Sequence, residues 1–172
     1  MTAVFLHDPP EVLQEWLERR RALGQDGFDE VWEGVYHVAP MAHGRQGRTE
    51  HALVLALHGR ARSAGLVGSG PVTIGRPDDY RVPDAVYLRT RETELWNPTA
   101  AIVVEILSPN DESRRKFDFY FRAGVEEMLL VDPLERTVEW YVRGADAFVP
   151  AERSALLGVT AAGLAAEIEW PD

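Results

Sequence analysis

AAIVVEILSPNDESRRKFDFYFRAGVEEMLLVD, residues 100–132, decides the fold. Its first eight residues are apolar except for Glu105, too short for a typical helix and the right length for a strand buried on both faces. Ser108-Pro109 breaks the run. Asn110 suits a helix N-cap, and Asp111 and Glu112 suit the positive end of a helix dipole. The helix is expected to run from about 111 to 123 and to stop at Gly124. Residues 127–132 then form a second buried strand. Strand, helix, strand is a right-handed crossover unit, which joins parallel strands.

Working outward, residues 83–88 read as a short strand opened by Pro83, and 136–142 as an alternating strand after the turn at Asp132-Pro133. Residues 28–38 hold two short strands with Gly34 at the turn. A helix over 11–23 follows Pro9-Pro10, with Val12, Leu13, Trp16 and Leu17 on one face. A second helix is expected at 51–64, an irregular strand within 65–74, and a short helix near 161–166 of a weakly patterned tail. The class is α/β (α+β): a single domain over 1–172, with one central mixed β-sheet flanked by helices.

The 172 residues are enough for one real core. With no cysteine, disulfide frameworks and Cys-based metal sites are excluded. Residues 1–10 lack a signal-peptide pattern and no apolar run approaches a membrane span, so a cytoplasmic protein with no membrane association is expected. Lys and Arg number 18 against 28 Asp and Glu, a net charge of -10. That argues against a passive nucleic-acid binder but not against an enzyme whose carboxylates hold metal ions. Of the 18 basic residues, Lys116 is the single lysine.

Glu105 is the most informative residue. An isolated carboxylate in so apolar a strand costs several kcal/mol to bury, so it is paired, protonated or bound to a metal. A strand-end carboxylate bonded to a helix or an arginine is the alternative. Asp84 taken alone is an ordinary strand-start residue, but two carboxylates on adjacent strand ends can share a divalent cation. Lys116 lies about 7.5 Å along a helix begun near Asp111, at about 1.5 Å per residue. Glu105 lies about 6.6 Å back from the strand end at Leu107, at about 3.3 Å per residue. Because a crossover helix runs back along its strand, the two come level, with Phe117, Tyr120 and Phe121 facing the sheet. An exposed lysine after Arg114 and Arg115 is the competing reading.

The segments VWEGVYHVAP (31–40), VPDAVYL (82–88), AIVVEILSPND (101–111) and KFDFYFRAGVEEMLLVDP (116–133) together resemble the Uma-two family of restriction-endonuclease-like proteins, within the PD-(D/E)XK nuclease superfamily. The resemblance covers about 28–150, with residues 9–23 as an added N-terminal helix and 151–172 as a tail. It implies a restriction-endonuclease-like core and a metal-dependent endonuclease. Pro83-Asp84 matches the family's PD and Glu105 its acidic position. The superfamily's usual lysine slot falls on Leu107, which cannot serve, and the family's lysine on the following helix matches Lys116. Glu33 matches an acidic position before the hairpin Gly, and His51 a histidine of the second helix; a polar strand residue and a satisfied helix histidine are the ordinary readings of these two. The resemblance further implies one or two Mg²⁺ or Mn²⁺ ions on Asp84, Glu105 and the Ile106 carbonyl, with nucleic acid, DNA first, as partner. A homodimer is expected by analogy, since cutting two strands favours two-fold symmetry. The alternative is a catalytically inactive interaction or regulatory module on the same scaffold.

Other signals carry less. Gly68-Ser69-Gly70 is neither a nucleophile elbow nor a phosphate loop. His51 and His58 lack any HExxH or cysteine context for zinc. Arg19, Arg20 and Arg21 suit a helix C-terminus, and Trp140-Tyr141 suits strand packing.

Overall fold

The centre of the molecule is β9 (Ile102–Ile106), a strand in which every residue is buried. The computed structural model describes residues 3–5 (backbone), 10–39, 43–91, 94–109 and 112–171. On one side β9 pairs parallel with β10 (Glu127–Asp132), Glu127 opposite Ile102 and Leu130 opposite Glu105. On the other it pairs antiparallel with β7 (Ala85–Leu88), Ala85 opposite Val104. The sheet is completed by β11 (Thr137–Arg143) and β12 (Phe148–Ala151) beyond β10, and by β4 (Val67–Ser69) beyond β7. It is the mixed sheet that the 100–132 stretch predicts.

The crossover between β9 and β10 differs from expectation in its first turn. A 3-10 turn over Ser113–Lys116 precedes a short helix α3 (Phe117–Arg122), and Gly124 ends it at φ 83, where a side chain would be strained. The expected cap at Asn110, with Asp111, lies outside the described residues. Phe119 and Tyr120 pack on the sheet face carrying Val86, Val103, Met128 and Leu130. The opposite face, with Ile102, Val104, Leu129 and Trp140, is covered by α2 (Gly44–Ser63) through Leu53, Leu57 and Ala61, and by α4 (Ala161–Glu167) through Leu164. Alternation along β9 therefore puts Val103 and Glu105 on the α3 side, and Ile102, Val104 and Ile106 on the α2 side.

A second six-stranded sheet, not foreseen in the sequence, runs β1 (Ala3–Phe5), β3 (Val35–Val38), β2 (Glu30–Trp32), β6 (Asp79–Arg81), β5 (Thr73–Arg76), β8 (Trp96–Asn97). The stretch read as one irregular strand, 65–74, divides between the sheets as β4 and the start of β5. Two helices also depart from their expected form. α2 begins at Gly44, because the His43 ring accepts the Arg45 N–H and caps two turns that have no apolar periodicity. α1 (Glu11–Ala22) forms, yet none of its residues is fully buried; Val12 and Trp16 remain 71% and 40% exposed. No helix among the described residues is long and apolar enough to cross a membrane.

Candidate active site

Register and alternation bring the key residues together before any side chain is considered. With Ala85 opposite Val104, Asp84, just before β7, falls beside Glu105 on the neighbouring strand end. Asp84 is held from two directions. One carboxylate oxygen accepts the Ile106 N–H at 2.6 Å, and the other accepts the Gln46 side-chain amide of α2.

Glu105 is 3% exposed and surrounded by donors. Its Oε1 accepts the Tyr120 hydroxyl at 2.6 Å and the Lys116 ammonium at 3.1 Å. Its Oε2 accepts Lys116 at 3.2 Å and the Ser113 hydroxyl at 3.3 Å, both long bonds. The turn Ser113–Lys116 thus supplies two of the donors and α3 the third. Lys116 and Glu105 meet as expected, but Lys116 arrives on the 3-10 turn begun at Ser113 and not on an α-helix begun near Asp111.

Lys116 has a second carboxylate. Its Nζ donates to Glu30 Oε1 at 2.9 Å, shorter than either contact with Glu105. Glu30 comes from β2 of the second sheet and is itself tied down, accepting the Val82 N–H at 2.8 Å on Oε1 and the Trp32 indole N–H at 2.6 Å on Oε2. One ammonium therefore bridges the two sheets.

The electrostatics follow from this crowding. Burial pushes the Glu105 carboxyl up to about 7; Lys116 opposes, Asp84 and Glu30 push further the same way, and the Tyr120 bond resists. Burial works against the charge on Lys116, but Glu105 and Glu30 prevail and hold the ammonium above the usual lysine value. Tyr120 is raised by burial and by Glu105, so it stays a donor. Glu50 of α2 is raised by burial and by Asp84. The pocket is acidic, and the Lys116 ammonium stands inside it.

Glu33 and His51 lie elsewhere. Glu33 is the tip of the two-residue hairpin Glu33-Gly34, between Trp32 and Val35. Both tip residues have positive φ, 49 and 82, as a type I′ turn requires. That conformation turns the Glu33 side chain outward, where it is 76% exposed and 3.5 Å from Arg122. The acidic residue of this hairpin that enters the pocket is Glu30, which the sequence reading passed over. His51 is exposed on α2 and lines a cavity of about 950 Å³ with Arg48, Leu55, Glu169 and Trp170, on the side of the helix turned toward the C-terminal residues.

Among the described residues, no three His, Asp or Glu side chains are grouped closely enough to form an all-protein metal cage. The donor set is nonetheless of the kind Mg²⁺ uses. That ion keeps several waters and takes only one or two carboxylates from the protein, and oxygen ligands without cysteine suit Mg²⁺ or Mn²⁺. Asp84 and Glu105 fit such a group.

Comparison with solved structures gives the class first. The chain is similar to a protein from Anabaena variabilis ATCC 29413 described as a "putative nuclease belonging to DUF820", with a TM-score of 0.65 at 17% identity, covering 81% of this chain and 90% of that one. It also matches the type IIG restriction endonuclease BpuSI at a TM-score of 0.44 and 12% identity, over 71% of this chain and 15% of that much longer one. The fold is therefore that of the first neighbour, a mixed α/β scaffold. Residues 13–167 match the family Uma2, described as "Putative restriction endonuclease", and the chain belongs to that family. No curated protein matches.

Proposed function

We propose that this protein is a divalent-metal-dependent endonuclease that hydrolyses phosphodiester bonds, with DNA as substrate. The observation that carries the reading is the convergence of Asp84, Glu105 and Lys116. Two carboxylates lie side by side on neighbouring strand ends, and the chain's single lysine touches one of them at 3.1 Å. The family and the fold support the same reading.

In this reading Asp84, Glu105 and the Ile106 carbonyl hold one or two Mg²⁺ or Mn²⁺ ions. In an extended strand the N–H and C=O of one residue leave on the same edge, and the Ile106 N–H already meets Asp84. When bound, such an ion supplies charge neutralisation at the phosphate and a more acidic water. The chain's own residues do the rest. Asp84, clamped by the Gln46 amide and the Ile106 N–H, presents fixed oxygens. Tyr120 and Ser113 orient Glu105. Lys116 donates toward the attacking water or the phosphate oxygens, where negative charge grows as the new P–O bond forms and the old one breaks. The leaving oxygen takes its proton from solvent.

The test is cleavage of plasmid DNA, and of an RNA of similar length, with Mg²⁺ or Mn²⁺ and with chelator. We expect metal-dependent strand scission of DNA that disappears in Asp84→Ala. No cleavage of either polymer by the wild type, with metal affinity unaltered in Asp84→Ala, would leave a non-catalytic interaction module. We further propose that two copies pair about a two-fold axis to cut both strands and act in the cytoplasm. Sedimentation of the protein with and without duplex tests the pairing.

A further inference from the structure

The Lys116 ammonium stands where the ion of the proposed function would stand, against both oxygens of Glu105 at 3.1 and 3.2 Å. A lysine and a divalent cation cannot both occupy that position, yet the proposed chemistry needs both in one pocket. The hydrogen bonds resolve the conflict. The shortest bond to Glu105 is from Tyr120, to Oε1, at 2.6 Å, whereas Oε2 receives two long bonds. Oε2 is thus the oxygen that can turn to a cation while the carboxylate keeps its best partner. The shortest bond made by Lys116 is not to Glu105 but to Glu30, at 2.9 Å. Glu30 cannot follow the ammonium if it moves, since the Val82 N–H and the Trp32 indole hold one oxygen each.

We propose that Glu30 is a positioning residue, a fixed berth that keeps Lys116 in the pocket when a divalent cation takes over Glu105. The inference rests on the metal-binding reading above and adds a two-site arrangement for the lysine: shared between Glu105 and Glu30 without metal, on Glu30 alone with it. Glu30 needs no contact with metal or substrate for this role. Without it the ammonium has one anion left, Glu105, and competes there with the cation.

The chain has one lysine, so [¹⁵N]lysine labelling gives a single side-chain ammonium resonance. In the wild type, added Mg²⁺ is expected to shift that resonance while its protons stay protected from exchange. In Glu30→Gln, and in Glu30→Asp, which keeps the charge but withdraws it by one methylene, protection is expected to be lost on adding Mg²⁺. Mn²⁺ affinity is expected to fall about tenfold in either variant, and by no more than about twofold when the same changes are made in Lys116→Met. Thermal midpoints of all variants show whether each is folded, and Glu30→Asp carries the test if Glu30→Gln is not. An equal loss of affinity in both backgrounds would mean that Glu30 acts by field or fold and would overturn the inference alone. Undiminished protection in both Glu30 variants would do the same. Absence of Asp84-dependent Mn²⁺ binding in the wild type would remove the functional reading, and this inference with it.

Discussion

Two buried glutamates sit on neighbouring strands of the central sheet and have opposite surroundings. Glu105 on β9 is 3% exposed, Glu127 on β10 1%. Glu127 pairs with Ile102, three residues along β9 from Glu105, or about 10 Å. It lies on the face with Leu129 and Val131, toward α2 and α4. Its oxygens accept the Ser154 hydroxyl at 2.5 Å and the Leu156 N–H at 2.9 Å, both neutral donors from the C-terminal segment. Glu105 instead meets an ammonium; burial raises its carboxyl to about 7, and Asp84 and Glu30 add to the rise while Lys116 opposes it. A carboxylate in an apolar strand is thus not by itself a sign of chemistry. Its company decides. Neutral donors make a staple, while a second carboxylate and a lysine make a pocket whose charge is unfinished.

The comparison breaks first, and most heavily, at the acidic pocket. Asp84→Asn, Glu105→Gln and Lys116→Met are each expected to lower metal-dependent cleavage by about 10²–10³-fold, the scale of losing one preorganised electrostatic group. Asp84→Asn and Glu105→Gln are expected to keep the fold, since neither opens a cavity. Lys116→Met leaves Glu105 and Glu30 buried without their cation and is expected to cost about 3 kcal/mol of stability while remaining folded. Steady-state cleavage rates beside urea midpoints check it. A variant that loses its fold along with its rate would make Glu105 a staple like Glu127.

Glu127→Ala is the reciprocal test. It strands the Ser154 hydroxyl and the Leu156 N–H in the interior. Unsatisfied buried groups cost about 1–3 kcal/mol apiece, so a loss of about 3 kcal/mol is expected in denaturant unfolding. Mn²⁺ affinity is expected to stay within about twofold of the wild type. A large change in affinity with little change in stability would erase the distinction drawn here.

The pH dependence of stability gives a further test of Glu105. Glu105 binds its proton more tightly folded, near 7, than the ordinary 4.5 of an unfolded glutamate. The native state therefore holds the extra proton between those values, and its stability falls as pH rises through that window. The Glu105 contribution is on the order of 3 kcal/mol. Subtracting the Glu105→Gln stability curve from the wild-type curve between pH 4 and 8 isolates it, and a flat difference would refute the shift. Metal binding needs the deprotonated carboxylate, so Mn²⁺ affinity is expected to rise over the same interval.

These contrasts also explain what could be read in advance. Glu105 and Lys116 stand out from their own neighbours, one as the charge in an apolar strand and the other as the single lysine. Their meeting follows from the crossover, although a 3-10 turn replaces the α-helical turn that the rise per residue assumed. Glu30 has no such signal: it lies in a strand of three residues, and its partners Lys116 and Val82 are 86 and 52 positions away. The second sheet is built from strands of two to four residues, too short for alternation to be counted. The first turns of α2 depend on a histidine cap and contain glycines and arginines, so apolar periodicity is silent over the turn that delivers Gln46 to Asp84.

The smallest expected effect tests which acid of the first hairpin belongs to the pocket. Glu33 sits at φ 49 on the turn tip, a conformation that strains a side chain by about 1 kcal/mol and that glycine adopts freely. Glu33→Gly relieves that strain but adds unfolded-state entropy of similar size. It also removes an exposed ion pair with Arg122 of little worth. The net change in stability is expected within about 0.5 kcal/mol, with cleavage rate and Mn²⁺ affinity within about twofold. Three positions earlier, Glu30→Gln is expected to weaken Mn²⁺ binding about tenfold. Measuring the two side by side asks whether the hairpin serves the site through its strand or its tip, and a rate lost with Glu33 but kept with Glu30 would return the role to the tip.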